Sequence, residues 1–132
     1  MEKDLKDLLL KDLCGRLPYG VKCKVSYNSG VINDADATLY GMDKDGFLMF
    51  DEIGGDHREF LCKPYLFPLS SMTEEQEIEY DATFETIVYE DGRKDSVMTY
   101  KSFDWLNKNH FDYRGLIEKS LAIDATNLEI YK

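Results

Sequence analysis

The chain has 132 residues, of which 43% are hydrophobic and 13% aromatic, and its formal net charge is −10. A chain of this length is expected to form a single domain, residues 1–132, with a core that needs no metal or disulfide. The negative charge argues against direct binding to nucleic acid or to an anionic membrane, because both require a basic face.

The cysteines and the N-terminus favour a cytoplasmic location. Three cysteines are an odd number, and no two are spaced as a CxxC pair: Cys14, Cys23 and Cys62. Residues 1–13 interleave Lys, Asp and Glu with leucines, which is unlike a signal peptide. No apolar run is long enough to span a bilayer. We therefore expect a reduced protein whose thiols pack as small hydrophobic groups.

The first predicted element is an amphipathic helix. Four leucines recur at helical spacing: Leu5, Leu8, Leu9 and Leu13. Lys and Asp residues, Asp12 among them, occupy the remaining positions. Gly15 and Pro18 are typical of a helix end. A helix with one apolar stripe must pack on another element.

Four short strand patterns follow, at residues 21–27, 31–42, 47–50 and 57–62. Turns are predicted at Asn28–Gly30 and Asp43–Gly46, and a loop at Glu52–Asp56. Short strands joined by tight turns favour a strongly bent antiparallel sheet, which could close into a small SH3-like barrel.

The second half of the chain predicts a connector, a helix, a hairpin and a helical pair. Residues 63–71 contain two prolines and are interpreted as the connector. Either Ser71 with Glu74 or Thr73 with Gln76 forms a capping box for the next helix. A hairpin turns at Asp91-Gly92. Helices over 102–110 and 113–121 then complete an α+β fold with an N-terminal helix and a C-terminal helical pair.

Most of the negative charge lies in one segment. Between Thr73 and Gly92 there are eight acidic residues and no Lys or Arg: Glu74, Glu75, Glu77, Glu79, Asp81, Glu85, Glu90 and Asp91. Such a run is typical of a solvated helix face that aids solubility. The alternative is an acidic patch that meets a basic partner, such as the nucleic-acid channel of another protein.

The stretch FDWLNKNHFDYRGLIEKSLAI, residues 103–123, holds the only Trp and one of the two His residues. Its apolar positions indicate mainly core. Trp105 and Tyr113 are candidates for an exposed docking patch, because such residues dominate interface energetics.

This stretch, together with CKPYLFPLSSMTEEQ at residues 62–76, resembles a family of small uncharacterised proteins common in Bacteroidetes genomes, prophages and gut phages. The two segments span about a quarter of the chain. No site residue is carried over, because the family has no firm activity. The resemblance implies an accessory protein of a phage or mobile element.

No catalytic or metal-binding motif is evident, so we expect neither an enzyme nor a cofactor. His57 with Asp56 and Glu59 is better explained as a loop edge than as a metal site. Nothing orients a pair of Cys62 with either His57 or His110 as a nucleophile and its base.

The leading hypothesis is a non-enzymatic protein that binds and blocks a host protein, such as a nuclease or a CRISPR-type defence effector, through its acidic surface. The first alternative is an oligomeric sponge that encloses a nucleotide signal, with basic candidate residues: Lys22, Lys24, Arg58 and Lys63. The second alternative is a structural or assembly factor of a virion.

Overall fold

The computed structural model describes residues 3–26, 35–45, 47–51 and 62–131, and these form an α+β fold. The first half contains α1 (Lys3–Arg16), β1 (Lys22–Val25), β2 (Ala35–Met42), β3 (Leu48–Phe50) and β4 (Cys62–Pro68). The second half contains α2 (Glu74–Asp81), β5 (Glu85–Val88), β6 (Lys94–Val97), α3 (Tyr100–Lys108), β7 (Phe111–Asp112) and β8 (Ile123–Asp124). The predicted fold class and N-terminal helix are confirmed.

The main sheet is mixed. Its order is β3-β2-β1-β4-β7, and β8 also pairs with β4. The first four strands are antiparallel to their neighbours, whereas β7 and β8 run parallel to β4. In the part of the chain that the structure describes, no pairing closes the sheet into a barrel. β5 and β6 form a separate hairpin.

The core lies between α1 and one face of the sheet. Leu9 and Leu13 of α1 pack against the inward side chains of the strands and of the C-terminal segment: Cys23, Val25, Leu39, Leu48, Phe50, Leu66, Leu116 and Leu121. Alternating burial along β1 follows from the two-residue period of a strand. The predicted leucine stripe is confirmed, with Leu5 and Leu8 partly buried at its margin.

Asp12 corrects the prediction that α1 is charged on its outer side only. Its carboxylate is fully buried and accepts two hydrogen bonds from Arg16, at 2.7 and 3.1 Å. Arg16 is also fully buried and donates to the Phe111 carbonyl at 2.7 Å. Arg114 approaches the same carboxylate at 3.2 Å. A buried charge requires such partners, so this cluster ties α1 to the C-terminal segment.

The predicted connector at residues 63–71 is wrong, because most of it is β4. This strand joins the antiparallel and parallel parts of the sheet, with Cys23 opposite Pro64 and Tyr65 opposite Ile123. Pro64 has no amide N–H to donate to a neighbouring strand. The sheet tolerates it because only the next two residues of β4, Tyr65 and Leu66, pair with β8. A short 3-10 turn, Leu69–Ser71, follows the strand.

The C-terminal elements differ in length from their predictions. α3 begins at Tyr100 rather than at Ser102, because Thr99 caps it and Ser102 completes the capping box. The helix predicted over 113–121 is reduced to a turn. Asp112 accepts hydrogen bonds from the amides of Leu116 and Ile117, and Ser120 adopts a left-handed φ of 60° that ends the turn.

The expected packing of the thiols holds for Cys23 and Cys62, which are buried, and is wrong for Cys14, which is exposed. Burial and the neighbouring Cys62 raise the pKa of the Cys23 thiol well above its usual value. The predicted turn at 28–30, the loop at 52–56, the strand at 57–61 and His57 lie outside the described residues.

Candidate protein-binding surface

The segment Thr73–Val97, here called the acidic arm, lies outside the main sheet. It comprises α2 and the β5–β6 hairpin, and it contains no buried residue. The Thr73 hydroxyl accepts from the Gln76 amide, and the Gln76 side chain accepts from the Thr73 amide. This reciprocal cap is one of the two predicted registers, and it satisfies amides that an eight-residue helix would otherwise leave open.

Aromatic contacts attach the arm to α3. Tyr80 packs edge-on against Phe84 at 5.0 Å and lies 5.5 Å from Trp105, measured between ring centroids. Trp105 stacks on Phe111 at 5.5 Å with an interplanar angle of 7°. The Tyr80 hydroxyl also lies 3.6 Å from the Met98 sulfur. Tyr80 therefore links the arm, through Trp105, to the sheet.

A group of hydroxyls joins the two ends of the hairpin. The Thr83 hydroxyl lies 2.8 Å from that of Ser102, which is fully buried. The Thr99 hydroxyl donates to the Thr83 carbonyl at 3.1 Å. These bonds hold the residues before β5 and after β6 together at the N-terminus of α3.

The acidic groups of α2 are exposed. None of the five acidic residues of α2 forms an ion pair with another described residue. They are Glu74, Glu75, Glu77, Glu79 and Asp81. The first three stabilise the helix, because they lie at its positive N-terminal end. Glu79 and Asp81 lie at its negative end, where no basic residue offsets them, so they weaken the isolated helix. Helix stability does not explain their presence.

Apolar side chains are exposed beside these acids. Ile78 on α2 is 70% exposed, and Val88 and Ile87 on β5 are 63% and 42% exposed. A two-stranded hairpin is only marginally stable alone. Because consecutive strand residues point to opposite faces, Ile87 and Val88 leave one exposed aliphatic side chain on each face of the hairpin.

Trp105 and Tyr113, the predicted docking aromatics, are half-buried. The ring of Tyr113 lies 5.5 Å from that of Phe103 and 4.7 Å from the Arg114 guanidinium. The most exposed aromatic of this region is Tyr100, at 72%.

The structure brings three of the four predicted basic residues to one face of the sheet. Lys22 and Lys24 are two residues apart on β1, and Lys63 on β4 lies directly opposite Lys24. Arg58 lies outside the described residues. The face is the one turned away from α1, because Cys23 and Val25 point toward the core.

Tyr131, a residue that no sequence pattern indicated, bridges β1 and β4. Its hydroxyl accepts from the Lys22 amide at 2.9 Å and donates to the Tyr65 carbonyl at 2.7 Å. His110 stacks on its ring at 3.7 Å. Burial, then the charges of Arg16 and Lys22, lower the pKa of His110 to about 4. No motif or periodicity in the sequence distinguishes Tyr131.

Over the described ranges, no group of three or more His, Cys, Asp or Glu side chains is arranged to hold a metal ion. None of the helices described is long and apolar enough to cross a membrane.

No family model, curated protein or solved structure matches this chain. The resemblance to phage and Bacteroidetes proteins therefore stays a prediction, and the surfaces above are interpreted from their own chemistry.

Proposed function

We propose that this chain is a non-enzymatic protein-binding module whose acidic arm occupies a basic groove on a host protein. The observation that carries the proposal is the arm itself, a helix and hairpin outside the main sheet with unpaired carboxylates and exposed aliphatic side chains. The dimensions suit a groove, since a helix with its side chains is about 10–12 Å across.

Charge and apolar contact have separate roles in this binding mode. The carboxylates of α2 steer the partner and select a basic surface, which affects the association rate and specificity. Ile78 and Val88 supply apolar area that only close contact buries. A solubility device would need the charges but not the exposed aliphatic side chains beside them.

The phage resemblance supplies the biological setting of the proposal. An accessory protein of a phage or mobile element acts in the bacterial cytosol, where a nuclease or CRISPR-type effector presents a basic nucleic-acid channel. An acidic arm in that channel would exclude the nucleic acid. The chain would then block the effector without any chemistry of its own.

The test compares two variants with the same loss of charge. One replaces four acids of the arm: Glu74→Gln, Glu75→Gln, Glu77→Gln and Glu79→Gln. The control removes four exposed acids elsewhere: Asp4→Asn, Asp7→Asn, Asp104→Asn and Glu118→Gln. Host proteins captured by the tagged wild-type chain are identified, purified and titrated against all three proteins.

We expect the arm variant to lose the partner and the control to keep it. Wild-type binding should weaken between about 0.15 M and about 1 M salt, as the Debye length falls from about 8 to about 3 Å. Equal binding by the arm variant and the control would show that the arm is not the binding surface.

A further inference from the structure

The hairpin of the acidic arm has an outer edge on β5. The Tyr89 amide donates to the Arg93 carbonyl at 2.8 Å, which fixes the hydrogen-bonding phase of the hairpin. Because every second residue of an antiparallel pair bonds across the ladder, Ile87 also bonds toward β6. The backbone N–H and C=O groups of Thr86 and Val88 therefore point outward. In the part of the chain that the structure describes, no strand pairs with this edge.

The outer edge of β5 is exposed and carries few protective residues. Thr86 and Val88 are both exposed, and over the described ranges no side chain bonds to their amides. Edge strands commonly carry Lys or Pro, which discourage further pairing. Residues 86–89 are instead Thr, Ile, Val and Tyr, all of which favour strands. On β6 the partners of Val88 and Ile87 are the charged Lys94 and Asp95, so β5 is the more open edge.

The two faces of β5 differ in chemistry. Side chains alternate along a strand, so Glu85, Ile87 and the following Tyr89 lie on one face, and Thr86 and Val88 lie on the other. The first face begins with a carboxylate. The second face of β5 has no charged side chain, and its Val88 is 63% exposed. An added strand matches both faces when basic and apolar side chains alternate along it, because cross-strand neighbours share a face.

The charge around β5 selects a basic strand. Residues 73–92, which include β5, contain eight acidic residues and no Lys or Arg. Arg93, the first base that follows, is already paired with Asp91 at 2.7 Å. Lys94 lies on β6, where it disfavours a basic strand on the other edge of the hairpin. A second copy of this chain is disfavoured on β5, because two acidic arms repel each other.

We propose that the partner adds an extended strand of alternating basic and apolar residues to the outer edge of β5, an inference that rests on the proposed function of the arm. Main-chain hydrogen bonds with Thr86 and Val88 give this contact its geometry, and the alternate side chains give it specificity. The added strand extends the hairpin to three strands, which stabilises it, since two strands alone are marginal. Charge brings the partner to the arm, and the strand edge holds it.

The test uses peptides of known composition and the full chain. The first peptide is a capped heptapeptide in which lysine and valine alternate, titrated at low salt and followed by NMR. The second contains N-methylvaline, which keeps every charge but removes the N–H groups of the residues opposite Thr86 and Val88. Val88→Pro removes an outward N–H from β5 and leaves the bonds to β6 in place. Ser96→Pro is the matched control, because it removes an outward N–H from β6 instead.

We expect saturable binding of the unmodified peptide that shifts the Thr86 and Val88 amide resonances. Its affinity should fall about fivefold in Val88→Pro, the usual effect of losing one hydrogen bond, and should be unchanged in Ser96→Pro. The N-methylated peptide should bind much more weakly to the wild-type chain. This peptide comparison needs no variant, so it decides the question even where a proline unfolds the hairpin.

The outcomes that overturn strand addition are distinct from those that overturn the proposed function. Equal affinity for the two peptides would show that charge alone attracts them, and the proposed function would stand without the added strand. Equal affinities in Val88→Pro and Ser96→Pro would also overturn the assignment to β5. Self-association that Val88→Pro abolishes would replace the basic strand with a second copy. If neither peptide binds, strand addition is wrong, and the α2 variant with four acids replaced decides the proposed function by itself.

Discussion

Replacing Tyr80 tests how the acidic arm is held. Its ring contacts Phe84 at 5.0 Å and Trp105 at 5.5 Å, and each aromatic pair contributes about 0.5–1.5 kcal/mol beyond area burial. Tyr80→Ala removes both contacts. Because Phe84 belongs to the arm, only the Trp105 contact joins the arm to α3. The free energy that keeps the arm attached should therefore fall by about 0.5–1.5 kcal/mol, which raises the population of the locally opened state roughly 2- to 13-fold.

Native-state hydrogen exchange measures this opening. Amides of the hairpin, such as Ile87, should exchange faster in Tyr80→Ala, whereas Leu39, whose amide bonds to the Val21 carbonyl, should be unchanged. Tyr80→Phe is the control, because it keeps both ring contacts and loses only the weak contact with the Met98 sulfur. If Tyr80→Ala and Tyr80→Phe exchange at the same rate, the aromatic contacts do not hold the arm.

Two further predictions concern buried charge. Asp12→Asn should lower the free energy of unfolding in urea by about 3–5 kcal/mol, because it leaves the Arg16 guanidinium buried without its carboxylate. The double variant Asp12→Leu, Arg16→Met should be much closer to wild type, and similar losses in both would contradict this reasoning. Burial lowers the pKa of His110 from 6.5 to about 4, so its neutral form is favoured in the fold. Stability should be full above about pH 6.5 and fall as the pH drops toward 4, by about 2 kcal/mol after allowance for partial solvent screening. His110→Asn, which tolerates the left-handed φ of 63°, should lose part of this pH dependence; an unchanged profile would remove His110 as its source.

Features of the fold that depend on local sequence could be predicted. The Thr73–Gln76 capping box and the hairpin around Asp91-Gly92 involve residues a few positions apart, and both are formed. The leucine stripe of α1 follows from helical spacing alone. In each case the physical signal lies within one element, so no knowledge of distant partners was needed.

Features that depend on distant partners could not be predicted. Helical spacing alone places Asp12 on the solvent side of α1. The Phe111 carbonyl and Arg114, which complete its buried cluster, are about a hundred positions away in the sequence, and only the fold brings them close. The prolines of β4 suggested a connector, yet that strand is stabilised by pairing on both edges. The grouping of the lysines has the same character, because Lys63 joins Lys22 and Lys24 only through the β1–β4 register.

The attachment of the arm also bears on how it would bind a partner. An eight-residue helix and a two-stranded hairpin are each marginal in isolation. A detached arm would have to become ordered during binding, and that ordering lowers affinity. Tyr80→Ala removes no carboxylate, so weaker partner binding in this variant would show that a preorganised arm, and not its charge alone, sets affinity. If Tyr80→Ala binds the partner as tightly as the wild type does, charge alone sets the affinity. In that case, binding by the variant should still weaken at high salt.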